Sequence, residues 1–539
     1  MTIIPTREIG KLGVISDQND HDLPGVAWSD ANNLRFSRGV VSRYSVFKYF
    51  DKAYNYAAQR PVGIVEAGGT EGTGFVVTVM NDGSMEQRID ATTTDVTPTG
   101  TLTTNNGQIT TCELGTLTYV NRHVDVPIYR ENPGDGAFVP IPGWTSTDRC
   151  RSLRSYKDFL IALNVTKGSV SYPSMIKWSD AAQVGAPPDD WDTTDLSSLS
   201  GENVLNDCRE GLVDGLSLGD TFILYGASQT FRMDFIGEPL VFRTAKVFDD
   251  QGVMAPNCAV SVEGRHYVFG NSDIYMHDGL SKKSIADGRV LERVMNELDW
   301  ENRDRCFVYH DNIMGEIGFC YPSKSSDAKW QLEKVNGCNR AMVYNYRSDT
   351  WSPVDMPSVV GVTEASQADT QTWADMPSKW TKARMTWDSL QSVNPSALLL
   401  CSTGNGAVAG QPYFLDLISS GRISAEEADE VLWWAWGKML YKDMDELGVE
   451  LYGRKLIRSV DLQFGSKDSE SEIRFRLGQS RGPNTAIKWG RKASFNAWGE
   501  TRYDCRINDR YLALRIEYPS GVDVDFGGFD LDFNMIAKR

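Results

Sequence analysis

The chain has 539 residues, 41% hydrophobic and 24% charged, with a formal net charge of -17. Such a composition is ordinary for a globular protein, and the length allows a large core without disulfide staples. The acidic excess is spread along the chain; it solubilises the surface and argues against gripping nucleic acid, which needs a Lys/Arg surface. It is still compatible with surrounding a polyanion without sticking to it.

The N-terminus, MTIIPTREIGKLG, lacks the basic-then-apolar pattern of a signal peptide. Residues 1–55 read as a segment that packs on a later domain or on a neighbouring subunit. Within it Arg35, Arg38 and Arg43 alternate loosely with Phe36 and Tyr44. Taken alone these arginines suit phosphate, but in so acidic a chain salt bridges to an acidic neighbour are the expectation.

Residues 56–420 are a run of short β-rich pieces divided by Gly, Asn, Asp, Ser and Pro. The pieces are Gly74–Met80, Thr116–Val120, Phe159–Leu163, Thr221–Tyr225, His266–Phe269, Ile317–Tyr321, Met342–Tyr346 and Ala397–Cys401. Many starts lie roughly 40–60 residues apart, which predicts a β-propeller of about six blades. GGTEGTG (Gly68–Gly74) lies between two such pieces and reads as a hairpin loop, because it opens no helix that would bind phosphate. Two further hairpins are legible. In Gly264–Gly279, Arg265–Phe269 and Ile274–His277 flank a Gly-Asn-Ser-Asp turn; in Asp220–Phe235, Gly226-Ala227-Ser228 divides two β-rich runs. AMVYNYRSDTWSPVDMP (Ala341–Pro357) is an outer blade hairpin. An insertion near 358–394 holds Trp373, Trp380 and Trp387 among polar residues; it either leaves the propeller to meet a neighbour or folds back on it.

From residue 421 the character changes. Ser424-Ala425-Glu426-Glu427 is a capping box that predicts a short helix. Val431–Leu440, VLWWAWGKML, is read as strand for its tryptophans. In Ser471–Ser480, Ile473, Phe475 and Leu477 share one face and Arg474 and Arg476 the other; Arg510–Gly521 and Val522–Met535 alternate likewise. Residues 421–539 therefore predict an antiparallel β-sandwich, a platform separate from the propeller and joined by the N-terminal segment.

The candidate chemistry is thin. Ser348, Asp349, Thr350 and Trp351 resemble the Asp-box of sialidase-like propellers, but the spacing and the glycine are wrong. Asp349 reads as a turn former and Trp351 as a blade-packing residue. Asp523, Asp525, Asp530 and Asp532 alternate as a solvated strand face does, and lack the remaining ligands of a calcium loop. The five histidines, His21, His123, His266, His277 and His310, form no zinc-hydrolase motif; His266 and His277 approach across a hairpin, where such residues are usually exposed. There is no Gly-x-Ser-x-Gly elbow and no Walker loop. Nine cysteines, odd in number and without a Cys-x-x-Cys, predict reduced thiols and assembly in a reducing cytoplasm. No run approaches the ~20 apolar residues of a membrane helix. No catalytic, cofactor-binding, metal or channel-lining residue is assigned, and the expectation is a protein that is not an enzyme and carries no cofactor.

Four stretches together resemble a known family. Leu23–Arg43 has an Asn-aliphatic-Arg-Phe strand before a Gly turn; Val247–Gly279 has a Gly-aliphatic…Pro-Asn segment before a hairpin ending Asp-Gly. Ala341–Pro357 and Tyr452–Phe464 complete the pattern. They are similar to the tail nozzle, or tail-hub, proteins of short-tailed bacteriophages, some of which are called packaged-DNA stabilisation proteins. The resemblance implies a structural virion protein in the viral tail, assembled in the host bacterial cytoplasm. Its β-propeller on a β-rich platform would form a homohexamer, a ring that continues the portal–adaptor channel of the head-tail connector. It would abut tail fibres, spikes or a plug, retain packaged DNA and conduct it at DNA ejection, touching it without adhesion and without inserting into a membrane. The alternative is a propeller glycoside hydrolase or carbohydrate-binding protein, which predicts an Arg/Glu/Asp pocket on the axial face.

Overall fold

The computed structural model describes all residues except 1, 21, 45, 50–59, 69–73, 90–91, 101, 131–135, 184, 196, 238–239, 327–336, 366–396, 404–411, 417–434, 444–453, 467–471, 483–484, 497–500, 510, 519–523 and 538–539. Turn residues recur every few positions between β-branched and aromatic runs, so the chain folds into successive antiparallel hairpins. Five four-stranded sheets follow one another. Blade 1 is Pro61–Gly68, Gly74–Met80, Met85–Ile89 and Thr92–Asp95. Blade 2 is Ile109–Leu114, Leu117–Arg122, Ile128–Arg130 and Val139–Pro140. Blade 3 is Arg149–Tyr156, Phe159–Lys167, Val170–Trp178 and Gly201–Val204. Blade 4 is Leu212–Leu218, Thr221–Gly226, Thr230–Phe235 and Phe242–Phe248. Blade 5 is Ala259–Val262, Arg265–Phe269, Ile274–His277 and Lys282–Ser284.

The next sheet has seven strands, because one long strand serves twice. Phe307–Asp311, Glu316–Tyr321 and Cys338–Asn345 are followed by Thr350–Ala365. The first part of that strand pairs with Cys338–Asn345 and closes blade 6; from Val359 onward it pairs with Ala397–Ser402. The change of partner falls at Ser358, whose φ of +55° turns the chain. Ser358 is held there by Gly337 N, which donates to its Oγ (3.1 Å), and by Thr403 N, which donates to its carbonyl (3.0 Å). Blade 7 is then the second part of Thr350–Ala365, Ala397–Ser402, Pro412–Asp416 and, outermost, Val46–Tyr49 from the other end of the chain. Counted this way the ring has one blade more than the estimate of about six. That blade was hidden because its outer strand lies more than 360 residues upstream of its neighbour. Residues 366–396 join two paired strands, Ala365 opposite Ala397; the fate of Trp373, Trp380 and Trp387 lies outside the described residues, as does the helix expected at 424–427.

The β-sandwich has two six-stranded sheets. One holds Thr2–Arg7, Leu34–Ser37, Val40–Arg43, Val524–Ala537, Arg454–Ser466 and Arg502–Asp509. The other holds Asp30–Asn32, Ala435–Asp443, Tyr511–Tyr518, Glu472–Ser480, Lys488–Trp489 and Ala493–Asn496. The described part of VLWWAWGKML is therefore strand. Alternation sorts the faces as expected: Ile473, Phe475 and Leu477 are buried, whereas Arg474 and Arg476 are half-buried. The N-terminal segment thus gives strands to both units: residues 2–43 to the sandwich and 46–49 to the propeller.

One hydrophobic core runs through both. Trp28, Phe36, Val41, Ile457, Val460 and Leu462 of the sandwich share it with Val268, Ile274, Tyr344 and Trp351 of blades 5 and 6. Asn33 N donates to Pro353 O (3.0 Å) and Val14 N to Trp351 O (3.0 Å). Thr350 Oγ1 donates to Phe36 O (2.7 Å), and the Ser352 hydroxyl donates to Leu34 O. Gly13, at φ +65°, lets this approach happen, since a Cβ there would lie 2.9 Å from Trp351 N. At the centre Arg35 Nε and Nη2 donate to Glu316 Oε1 (2.6 Å) and Oε2 (2.9 Å), with both side chains almost fully buried. Burial pulls the Arg35 pKa down, but the Glu316 charge and hydrogen bonds outweigh it and the net shift is upward. The salt bridge is internal, where a partner on a neighbour was expected. Removing one member of such a pair strands the other charge in the core, whereas replacing both with apolar groups does not. Arg35→Met and Glu316→Met are each expected to cost ~3–5 kcal/mol in urea unfolding, and the double variant clearly less than their sum. Additive losses would show that the two groups act independently.

Candidate functional site at the propeller axis

The inner strands of all seven blades converge on an axial cavity of about 180 Å3, lined by residues from Val62 in blade 1 round to Val362 in blade 7. It contains one ion pair. Arg154, from the inner strand of blade 3, donates through Nε to Asp214 Oδ1 (2.8 Å) and through Nη2 to Oδ2 (2.7 Å). Asp214, on the inner strand of blade 4, also accepts from Ser152 Oγ (2.6 Å), Gly215 N (2.9 Å) and Asn257 N (2.8 Å). Burial raises the Asp214 pKa, but Arg154 and these donors overcome it and the net shift is downward. Asn257 precedes blade 5 at φ +61°. Its Oδ1 accepts from Arg154 Nη2 (2.7 Å), and its Nδ2 donates to Gln108 Oε1 (3.2 Å) and Ile109 O (2.9 Å) of the blade 2 region. Gln108 Nε2 in turn donates to Arg305 O (2.7 Å) and Cys306 O (2.9 Å), at the entry to blade 6. The network ties blades 2 to 6 across the axis.

Chemically, Asp214 is occupied. It accepts five hydrogen bonds and stays ionised, so it has neither a proton to give nor a lone pair placed to take one. A glycosidase needs two carboxylates facing an open space; among the described residues the cavity lining holds one, saturated. Among the described residues no group of three or more His, Cys, Asp or Glu is arranged to hold a metal.

The residues singled out in the sequence lie away from this cavity. Asp349 takes φ +53° in the hairpin turn, as a turn former does, and accepts from Arg289 Nη2 (2.9 Å) and Tyr344 Oη (2.9 Å). Trp351 is fully buried between blades, its Nε1 donating to Ile285 O (3.1 Å) and its ring 4.7 Å from that of Tyr344. Asp530 pairs with Arg7 (2.6 Å) and accepts from Gln463 Nε2 (3.0 Å), and Asp532 is buried, so the alternating aspartates are not a simple solvated face. Asp525 is half-buried, while Asp523 and His21 lie outside the described residues. Arg43 is buried, which lowers its pKa to about 10, and the backbone N of Arg38 donates to Ser348 Oγ (3.4 Å). Tyr44 Oη meets Tyr309 Oη at 3.0 Å. His123 sits beside Asn105 Nδ2, and His310 Nε2 meets Tyr346 Oη at 3.3 Å. Gly68 pairs with Gly74 as hairpin ends. All nine cysteines are free, seven of them buried.

His266 and His277 correct the expectation of exposure. They are cross-strand partners in blade 5, and both are buried. Gly279 N donates to His277 Nδ1 (3.1 Å), so Nε2 of that ring carries the proton toward Tyr225 Oη (2.6 Å). Tyr225 then donates to His266 Nδ1 (2.7 Å), and His266 Nε2 donates to Ser217 O (3.0 Å). The chain has one consistent direction with both rings neutral, and it sews blade 5 to blade 4. Sequence reasoning missed it because the linking Tyr225 lies 41 residues before His266.

No family model matches the chain, and no curated protein does. Two solved structures similar to it are β-propellers. One is the WD40 propeller domain of Doa1, at 10% identity over 69% of this chain and 97% of that one, TM-score 0.36. The other is the propeller domain of Cps50 (Swd1) from Myceliophteria thermophila, at 8% identity over 69% and 100%, TM-score 0.38.

Burial lowers the pKa of His266 to about 4 and that of His277 to about 3, from an ordinary 6.5. Below pH 6.5 the unfolded chain takes up protons that the folded one refuses, so their contribution is whole above that pH and is lost as the pH falls toward 4. Each ring can cost up to about 1.4 kcal/mol per pH unit in that window. Urea unfolding between pH 7 and 4.5 should therefore show a shallower pH slope for His266→Gln/His277→Gln than for the parent; an unchanged slope would remove the histidines from the acid response.

Proposed function

We propose that this chain is a structural subunit of a bacteriophage tail nozzle. Copies form a ring that continues the portal–adaptor channel, retains packaged DNA and conducts it at ejection. The observation that supports this most is where the four family-like stretches fall. Leu23–Arg43 contributes Trp28 and Phe36, Val247–Gly279 contributes Val268 and Ile274, Ala341–Pro357 contributes Tyr344 and Trp351, and Tyr452–Phe464 contributes Ile457 and Leu462. All four feed the same core, the one that fuses propeller to sandwich. The likeness therefore lies in the propeller-on-platform body that a ring subunit needs.

The rest of the molecule is compatible with that role. The polar groups of the described axial cavity hold blades together, and Asp214 is the one carboxylate among them. At -17 per copy, a ring of six carries about -100, a wall that repels DNA and lets it pass. Nine free cysteines suit assembly in a host cytoplasm.

The test is assembly. Purified full-length protein, alone or with the cognate adaptor, should form a closed ring of six copies by native mass and electron microscopy, with a mainly acidic inner wall. A chain that stays monomeric at high concentration and never joins an adaptor or tail would contradict the proposal. So would cleavage of a glycan that Asp214→Asn abolishes while the fold is retained.

A further inference from the structure

Two stretches break the even spread of charge along this acidic chain. Residues 473–499 hold six cations, from Arg474 to Lys492, and no acid. Residues 179–201 hold five aspartates, Asp180, Asp189, Asp190, Asp192 and Asp195, and no Lys or Arg. The first stretch forms the edge of the second sandwich sheet, and the second joins the last two strands of blade 3. Ile473, Phe475 and Leu477 belong to the core that the sandwich shares with the propeller, whereas Trp191 packs with Trp144 and Leu160 in a separate core under blades 2 and 3. The two surfaces are therefore carried by different cores of one molecule.

The cationic face is held in place by one acid. Lys438, Arg515 and Arg476 stand side by side on three adjacent strands, and such a cross-strand row of like charges is unfavourable by itself. Arg476 Nη2 and Arg515 Nε each reach Glu517 Oε1 (2.9 Å), and Lys492 Nζ reaches Oε2. Burial raises the Glu517 pKa, but Lys492, Arg476 and Arg515 overcome it and the net shift is downward, so one carboxylate faces three cations. Glu517 is buried, while all three cations keep part of their side chains in solvent, Lys492 the most at 41%. Arg476 also lies over the Trp489 ring (5.6 Å). Lys438 reaches Asp30 (3.4 Å), which Arg293 already holds (2.9 Å). Lysines at a sheet edge keep other strands away. That does not account for Lys438 and Arg515, whose strands are paired on both sides.

The aspartate loop is fixed as well. Asp192 Oδ1 accepts from Thr194 N (2.9 Å) and Oγ1 (2.8 Å), and Asp195 Oδ1 accepts from Ser197 N (2.8 Å) and Oγ (2.7 Å). These bonds hold both carboxyls below the usual carboxylate range, and both residues are exposed. Asp180 N donates to Asp190 O (2.9 Å), and the Trp191 ring sits 4.7 Å from that of Trp144, which anchors the loop to its blade. A set cationic face and a set anionic loop on one chain are complementary, so the face of one copy fits the loop of the next. Contact between two different surfaces is heterologous, the kind that closes into a ring. Single ion pairs at a solvated rim are worth little, so the fit comes from several acting together and weakens with salt.

We propose that the face bearing Lys438, Arg476, Lys492 and Arg515 docks on the aspartate loop 179–201 of a second copy of this chain, as the contact between neighbours in the ring. The proposal rests on the ring reading above and names the surfaces that make it. The test follows assembly of the full chain by sedimentation and native mass, at low and high sodium chloride. Assembly of the parent is expected to weaken as salt rises. Lys438→Glu/Lys492→Gln, which makes the face acidic, and Asp192→Lys/Asp195→Lys, which makes the loop basic, should each weaken it about tenfold or more. An equimolar mixture of the two variants should recover it, because copies alternating around an even ring again meet with opposite charge. Lys492→Gln alone and Asp192→Asn/Asp195→Asn, where the amide oxygen keeps the turn bonds, carry the test if a reversed variant does not fold; both should weaken assembly, by less. A parent that assembles while folded variants of either surface assemble equally well, or reversed variants that do not recover on mixing, overturns the docking and leaves the ring reading standing. A parent that is monomeric at every concentration and salt overturns both.

Discussion

The structure depends on one act of closure: the strand Val46–Tyr49 completes the last blade beside Pro412–Asp416. A propeller is a sheet ring with a seam, and an unfilled outer edge there would expose unpaired backbone. Here the seam is filled by the segment that has just left the sandwich, so ring closure and sandwich assembly use the same stretch of chain. The loop thereby closed is long, but its entropy cost grows only slowly with length. The cost is offset by the backbone pairing of this strand and by the core that Trp28, Phe36 and Trp351 share.

Closure explains why the junction is made with polar groups as well as apolar ones. Asn32 Nδ2 donates to Asp355 Oδ2 (2.6 Å), Asp355 N donates to Asn33 Oδ1 (2.8 Å), and Arg35 grips Glu316. Hydrophobic contact alone tolerates sliding; hydrogen bonds that must be satisfied in the interior fix one register. At the helix Leu291–Glu297, Asp17 accepts from Glu292 N (2.9 Å), and Arg293 reaches Asp30 (2.9 Å) of the sandwich. The N-terminal segment is thus bound from blade 5 through blade 7.

Much of this was legible in the sequence. Alternation and turn residues located the hairpins at Arg265–His277 and Ala341–Pro357 and the sandwich strand at Glu472–Ser480, because each is a local pattern. What was not legible is non-local. Nothing near Pro412–Asp416 announces that its partner is Val46–Tyr49. No motif marks Arg154, Asp214 and Asn257 as one cluster, since they come from three blades and meet only when the ring forms. The arginines of Leu34–Arg43 looked suited to an external partner because the acid that takes Arg35 lies 281 residues away.

Propeller and sandwich form a single body held by the N-terminal strands. Native-state hydrogen exchange in increasing denaturant tests that directly. The amides of Val359–Ala365 in blade 7 and those of Arg454–Ser466 in the sandwich should open with the same free energy and the same denaturant dependence. Sandwich amides that exchange through a separate opening, while those of blade 7 stay protected, would contradict it.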